Sequence, residues 1–306
     1  MKRILPMVIL TLLFCFLLLF PVQTLEASKT GLLLWFDTLL PTLLPFLILS
    51  QLILKTPLID FFQKLFSPIF RHFFHCSADG AFCILCGFLC GYPVGARLVS
   101  LQIKEQKITL EEGQYLLSFC NNVSPSFCIS YGILYAIGET FVLPYLLIIY
   151  GSALLFGFLT RPKSSDLFSE FTKKQTSTTE NIFQLIDVCI IDSFLILIKL
   201  CGYLMLFSIL CTVISLLPFI QHPLLAPLIS SFLEITTGLS LISNLPIGTM
   251  RSALAVTALT FGGLCCIFQT NSVICDTKIS LKKYIVHKGI TALFALCLFL
   301  LWSFFR

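Results

Sequence analysis

Phe119-Cys120-Asn121-Asn122-Val123-Ser124-Pro125-Ser126-Phe127 interrupts a long apolar run with two amides, two hydroxyls and a proline. Ser124 directly before Pro125 has the form of a helix N-cap followed by proline at the first helical position. One helix is therefore expected to stop near Cys120 and another to start at Pro125. The flanks are apolar enough for a membrane interior, and unwound backbone at that depth must line a cavity or be buried in protein. The new helix start turns free N–H groups and a partial positive charge toward that cavity, which suits an anionic group.

The whole chain agrees with a membrane setting. Of its 306 residues, 57% are hydrophobic and 11% charged, and the mean hydropathy is +0.97. Soluble domains run about 45–50% apolar and about 25% charged, so a water-soluble monomer of this composition lacks the polar surface to cover itself. The expected fold is an all-α, polytopic membrane helix bundle in contact with the lipid bilayer. The net charge of +5 does not point to nucleic acid, because the basic residues lie in the gaps between apolar stretches, where Lys and Arg mark cytoplasmic loops. Nearly all of the 14 cysteines sit within apolar stretches, as small hydrophobes rather than a disulfide framework.

Working outward, apolar segments of spanning length cover 4–22 (a signal-anchor span, uncleaved), 32–54, 113–137, 141–159, 188–217, 253–274 and 286–302. Residues 55–76 carry phenylalanines at helical spacing with Lys64 and Arg71 between them, the pattern of an interfacial amphipathic helix. Segments 81–92 and 224–241 are too short for a clean crossing and suit re-entrant elements, giving about seven spans and two re-entrant or broken helices. With the N-terminus cytoplasmic, sixteen of the 20 Lys and Arg fall inside, three outside, and Lys199 within a span, as the positive-inside rule asks. Residues 161–182 form a polar cytoplasmic linker. It divides a first membrane repeat (31–160, after the N-terminal segment 1–30) from a second (183–306).

The two halves share the order span, re-entrant, span, span from opposite sides, which predicts an inverted repeat of the kind that builds transporter midplane sites. Gly91-Tyr92-Pro93-Val94-Gly95-Ala96-Arg97 echoes Asn244-Leu245-Pro246-Ile247-Gly248-Thr249-Met250-Arg251 with one insertion. Gly91, Pro93, Gly95, Pro125, Pro246 and Gly248 are the expected hinges and turns. Phe261-Gly262-Gly263 is the expected counterpart of the break at 121–125.

Candidate chemistry follows from polar groups at depth. Asn121, Asn122, Ser124 and Ser126, with Gly262, Gly263 and Gln269 from the second break, are expected to face the solute. Arg97 and Arg251, after their Pro-Gly turns, are the candidate anion holders. Intramembrane charges are expensive and usually functional. Glu234 is the expected coupling or gating group; Lys199 is a second, or the partner of Asp192 seven residues earlier. Cys83, Cys86 and Cys90, and His72, His75 and Cys76, resemble ligand spacings but imply no complete site; neither a metal nor a cofactor is expected. No nucleophile–base set points to an enzyme.

On these motifs, with Leu233-Glu234-Ile235-Thr236-Thr237-Gly238 and Phe261-Gly262-Gly263-Leu264, the chain resembles the YlbJ-type sporulation integral membrane proteins. They fall in a wider group with a "gate" or nucleoside-recognition domain, also seen in nucleoside transporters and spore maturation proteins. The resemblance implies a spore-forming bacterium, a place in its cell membrane or the membrane around the forespore, and transport of a small organic anion, dipicolinate first, into the spore. It also implies a homo-oligomer or other sporulation membrane proteins as partners. A non-transporting scaffold for envelope assembly and a nucleoside-type transporter are the alternatives.

Overall fold

The computed structural model describes residues 4–163, 182–217 and 222–306, so the expected linker lies outside the described residues from 164 to 181. Every regular element among them is a helix. α1 (Ile4–Leu19) ends at Phe20. From Pro21 a single helix runs to Lys55, as α2 (Pro21–Leu34), a π-helical turn (Trp35–Leu39) and α3 (Leu40–Lys55). This redraws the expected spans at 4–22 and 32–54: residues 23–31, read as a loop, are helical. Ala27 and Gly31 explain it, since they present a small face to α10 (Ile182–Ser215). A Cβ on Gly31 would stand 3.0 Å from Met205 Cα. The two long helices run antiparallel, tied by Ser208 Oγ to Ala27 O (2.8 Å), Trp35 Nε1 to Leu197 O (2.7 Å) and Gln51 Nε2 to Ser193 Oγ (3.0 Å). The wider π turn lies just ahead of Pro41, which cannot donate to the helical ladder.

α4 (Leu58–Phe74) bears an exposed stripe of Leu58, Phe61, Leu65, Ile69 and Phe73 and meets α5 (Ala78–Cys90) at 93°. α6 (Val94–Lys104) folds back on α5. The hairpin closes only because both sides are glycine there, a Cβ on Gly95 coming 2.9 Å from Gly87 Cα. α7 (Leu110–Cys120) stops as expected, residues 121–124 are non-helical, and α8 (Pro125–Phe127) continues as a π-helix over Cys128–Ile137 before α9 (Leu143–Leu159).

The second half runs in a similar order, without a counterpart of α4 among the described residues. After α10 come a hairpin, α11 (Leu225–Leu233) and α12 (Ile235–Ser243), an interrupted pair, α13 (Thr249–Phe261) and α14 (Gly263–Ile274), and a last long helix, α15 (Leu281–Phe304). The echo of Pro93 in Pro246 is corrected in register. Pro93 lies at the tip of the first hairpin, whereas Pro246 and Gly248 lie in the loop between α12 and α13. The counterpart of the first tip is Glu234, where the chain is extended between α11 and α12.

Contacts between loops sort the bundle into two ends. At one end Lys104 pairs with Asp276 (2.7 Å), Gln114 binds Ser280 N (2.7 Å), Ser77 N donates to Glu112 (2.7 Å) and His75 meets Pro162 O (2.7 Å). Lys104 beside Asp276 holds that carboxyl below its usual range, first by hydrogen bonding and then by charge. At the other end Arg306 pairs with Glu139 (3.1 Å), and Arg251 reaches Ala136 O (2.7 Å). The first hairpin opens toward the Lys104 end, made the basic end by Lys107, Arg161, Lys278, Lys282 and Lys283, and the second toward the other. Among the described residues four helices are long and apolar enough to cross a membrane: Pro21–Lys55, Ile182–Ser215, Thr249–Ile274 (bridging the 262 interruption) and Leu281–Phe304.

Candidate functional site

Four chain interruptions converge between the ends. Gly91, at the first hairpin tip, is packed against the first break, where a Cβ would stand 2.6 Å from Ser124 N. Gly262 and Gly263 adopt φ of 86° and 77°, a left-handed pair that L side chains resist. A Cβ on Gly263 would lie 3.1 Å from Ser231 O and 3.4 Å from Ile235 N, against the second hairpin tip, and one on Gly262 would lie 2.7 Å from the Tyr92 hydroxyl. Each tip thus meets the break of its own half, and the first tip also meets the break of the other.

Where they meet there is a cavity of about 290 Å³, walled by Cys90, Tyr92, Val123, Ser124, Ser126, Phe127, Ser130 and Tyr131 from the first half and Glu234, Ile235, Thr236, Cys266 and Gln269 from the second. Thr38, Leu39, Thr42 and Leu43 of the helix through Lys55, and Leu200 and Leu204 of α10, complete it. Ser126 of α8 and Ser130 and Tyr131 of the π-helical stretch share this wall. Ser126 and Ser130 are exposed, so the cavity opens there. A polar row continues outward along Tyr131 and Tyr135, whose hydroxyl lies 3.4 Å from Ser240 Oγ.

Glu234 is buried, and its carboxylate caps α12. Oε1 accepts from Thr236 N (3.0 Å), Oε2 from Thr237 N (2.7 Å), and Oε2 also takes the Thr236 hydroxyl. A carboxylate at a helix N-terminus meets both the free donors and the positive dipole end. The positive end of α12 is thus occupied by the protein's own acid, while the helix start at Pro125, expected to draw an anion, has Ser124 Oγ accepting from Phe127 N (3.4 Å).

The opposite pole is Lys288, near the start of the expected span 286–302 and counted with the sixteen inside charges. It lies in α15 and is 1% exposed. Its Nζ donates to Asn121 O (3.3 Å) and Asn122 Oδ1 (3.2 Å), the free carbonyl end of α7, and lies 5.2 Å from the centroid of the Tyr92 ring. A cation at a helix C-terminus complements the dipole. Asn121 Nδ2 donates to Thr270 Oγ1 (2.9 Å) and Tyr284 Oη (3.0 Å), and Asn122 Nδ2 to Phe119 O (2.7 Å). The two asparagines therefore brace the break behind the wall rather than line the cavity.

Among the expected site residues, Ser124, Ser126, Glu234 and Gln269 come together on the cavity, and Gly262 and Gly263 form its backing. The two arginines do not join them. Arg97 faces Asp192 at 3.6 Å, which also replaces the expected pairing of Asp192 with Lys199; seven residues is about 10 Å along a helix, too far for that contact. Arg251 has its guanidinium on three backbone oxygens, Ala136 O (2.7 Å), Leu245 O (3.0 Å) and Tyr135 O (3.4 Å). It latches the π-helical stretch to α13 and is not an anion holder. Lys199 lines a separate groove with Tyr203, Asn271 and Cys275. Arg251→Met is expected to lower stability by about 2–3 kcal/mol, the scale of orphaning buried acceptors from a charged donor, while leaving solute preference unchanged; reversible unfolding in bicelles with a parallel binding assay checks both.

Residues 36–141 match the family model described as Gate, nucleoside recognition. That segment holds the whole first-half wall, from Thr38 to Tyr131. The chain is similar to YlbJ. This sporulation integral membrane protein of Bacillus subtilis (strain 168) is 27% identical over 330 aligned positions, which take in 92% of this chain and 78% of the relative. The resemblance carried by the motifs thus holds, and the likeness to YlbJ extends past the gate segment to the second-half wall. No solved structure matches.

Proposed function

We propose that the chain is a membrane carrier for a small, planar heteroaromatic solute in a sporulating bacterium. The supporting observation is the meeting of four chain interruptions at one polar cavity, since interrupted helices at bilayer depth are the device by which carriers hold solutes at the midplane. The ring would lie against Phe127, Tyr131 and Tyr92, with polar contacts from Ser124, Ser126 and Gln269. Dipicolinate is the first candidate, from the resemblance to sporulation proteins, and a nucleoside the second. One feature favours the second: neither Lys nor Arg is among the residues lining the cavity, and Glu234 is the carboxylate there. A dianion would have to draw on Lys288, one ring behind the wall, or enter with a cation.

In this reading the halves are an inverted repeat, with the basic end and the N-terminus cytoplasmic in the cell membrane or the membrane around the forespore. The solute passes unaltered, without catalysis. Glu234 gates by holding the second hairpin tip; a second copy of the chain or other sporulation membrane proteins are its partners in the bilayer. Uptake of labelled dipicolinate and labelled uridine into proteoliposomes tests it. Saturable uptake of one, lowered at least tenfold by Gln269→Ala or by a bulky Ser126→Leu, is expected. Uptake of neither above protein-free vesicles would return the chain to the scaffold alternative.

A further inference from the structure

We infer that Lys288 is the tethered cation of this site, standing where a carrier with an interrupted helix would otherwise need a monovalent metal ion. Freed carbonyls at the C-terminal end of a half-helix are where such proteins coordinate sodium. Here that end, Asn121 O at the stop of α7, receives an ammonium instead at 3.3 Å, with Asn122 Oδ1 at 3.2 Å. Among the described residues no carboxylate pairs with Lys288, so its charge is held by neutral oxygens and by the face of Tyr92.

A second observation points the same way. Asn121 is fully buried, and its Oδ1 has no hydrogen-bond partner, so the break holds an unused oxygen besides those on the ammonium. The cluster is richer in acceptors than one lysine consumes, which is the composition of a cation site. The inference deepens the carrier reading, on which it rests, by removing sodium from this site: the cation there is part of the chain. Other ionisable groups facing the ammonium are Cys120 of α7, Cys266 of α14, Tyr92 at the first hairpin tip and Tyr284 one turn back on α15, with Glu234 across Cys266. The thiols and phenols among them are neutral at ordinary pH.

The test needs no solute, and so stands apart from the uptake assay. Thermal unfolding of the full chain in phosphatidylcholine nanodiscs is followed in sodium, potassium or choline chloride at equal concentration. At about pH 6, where an ordinary lysine is charged, the wild type is expected to melt at one temperature in all three salts. Lys288→Ala is expected to melt lower in choline and to recover roughly 3–6 °C, saturably, with sodium or potassium, as for a ligand bound to the folded state alone. If Lys288→Ala cannot be purified, the wild type at about pH 10.5, near the usual lysine value, takes its place and is expected to acquire the same response. A sodium-stabilised wild type at low pH overturns the inference. So does a flat response in the variant, or in the alkaline wild type used in its stead. If the uptake assay fails while the salt response appears, the carrier reading falls and the cation site stands.

Discussion

Glu234→Ala is expected to remove about 3–5 kcal/mol of stability and to abolish solute binding. The carboxylate receives Thr236 N, Thr237 N and the Thr236 hydroxyl at a buried helix start. Alanine leaves three donors without partners, each at about 1–3 kcal/mol, and deletes an N-cap whose loss alone costs up to about 2 kcal/mol; the terms overlap and do not sum. Glu234→Gln separates the cap from the charge. One amide oxygen can still accept, while the amide N–H₂ faces donors and the dipole loses its counter-charge, so about 1–2 kcal/mol is expected. Unfolding in bicelles measures the ordering Ala worse than Gln worse than wild type. A glutamine variant as damaged as the alanine would mean that charge, not capping geometry, holds the tip.

Gly238→Ala is the other large effect. Its new methyl would lie 2.2 Å from Ser231 Cα and 2.5 Å from Ser231 N, both backbone, so neither arm of the second hairpin can yield by a rotamer change. Overpacking that forces backbone apart costs about 1–3 kcal/mol and can exceed it. Here the shift would also pull Glu234 from its donors, and failure to reach the membrane folded is expected. Gly87→Ala meets Cys120 O at 2.2 Å and should behave alike. Gly151→Ala meets nothing within 4 Å and serves as the control on expression and trypsin resistance.

Much of this arrangement is legible in the residues. Composition excludes a soluble fold, and the stop at Cys120 with a restart at Pro125 follows from the Ser-Pro pair. The Gly262-Gly263 break is legible because two adjacent glycines supply a conformation that other residues avoid. Three things were hidden, each for a physical reason. The break at Glu234 carries no proline or glycine. It is made by an acid whose capping partners are its own next residues, and a pattern of apolar runs cannot tell a cap from an interior charge. Lys288 lies two residues into the apolar run that starts at Val286, where positive-inside counting groups it with the inside charges. The available signal was its helical register with Tyr284, Ala292, Ala295 and Phe299, all buried. Arg97 and Arg251 follow similar motifs, yet one faces an aspartate and the other backbone carbonyls. What surrounds a guanidinium is decided by packing between halves, which single-chain spacing does not encode.

The hydrogen bond from Lys288 to Asn122 joins residues 166 positions apart. On a ribosome the first interruption is therefore made, and delivered to the lipid, long before the ammonium that closes it exists. Until α15 emerges, those carbonyls need water or an insertion chaperone, so assembly of the site waits on α15. Truncation before that point should leave a product that quality control removes rather than a smaller working version.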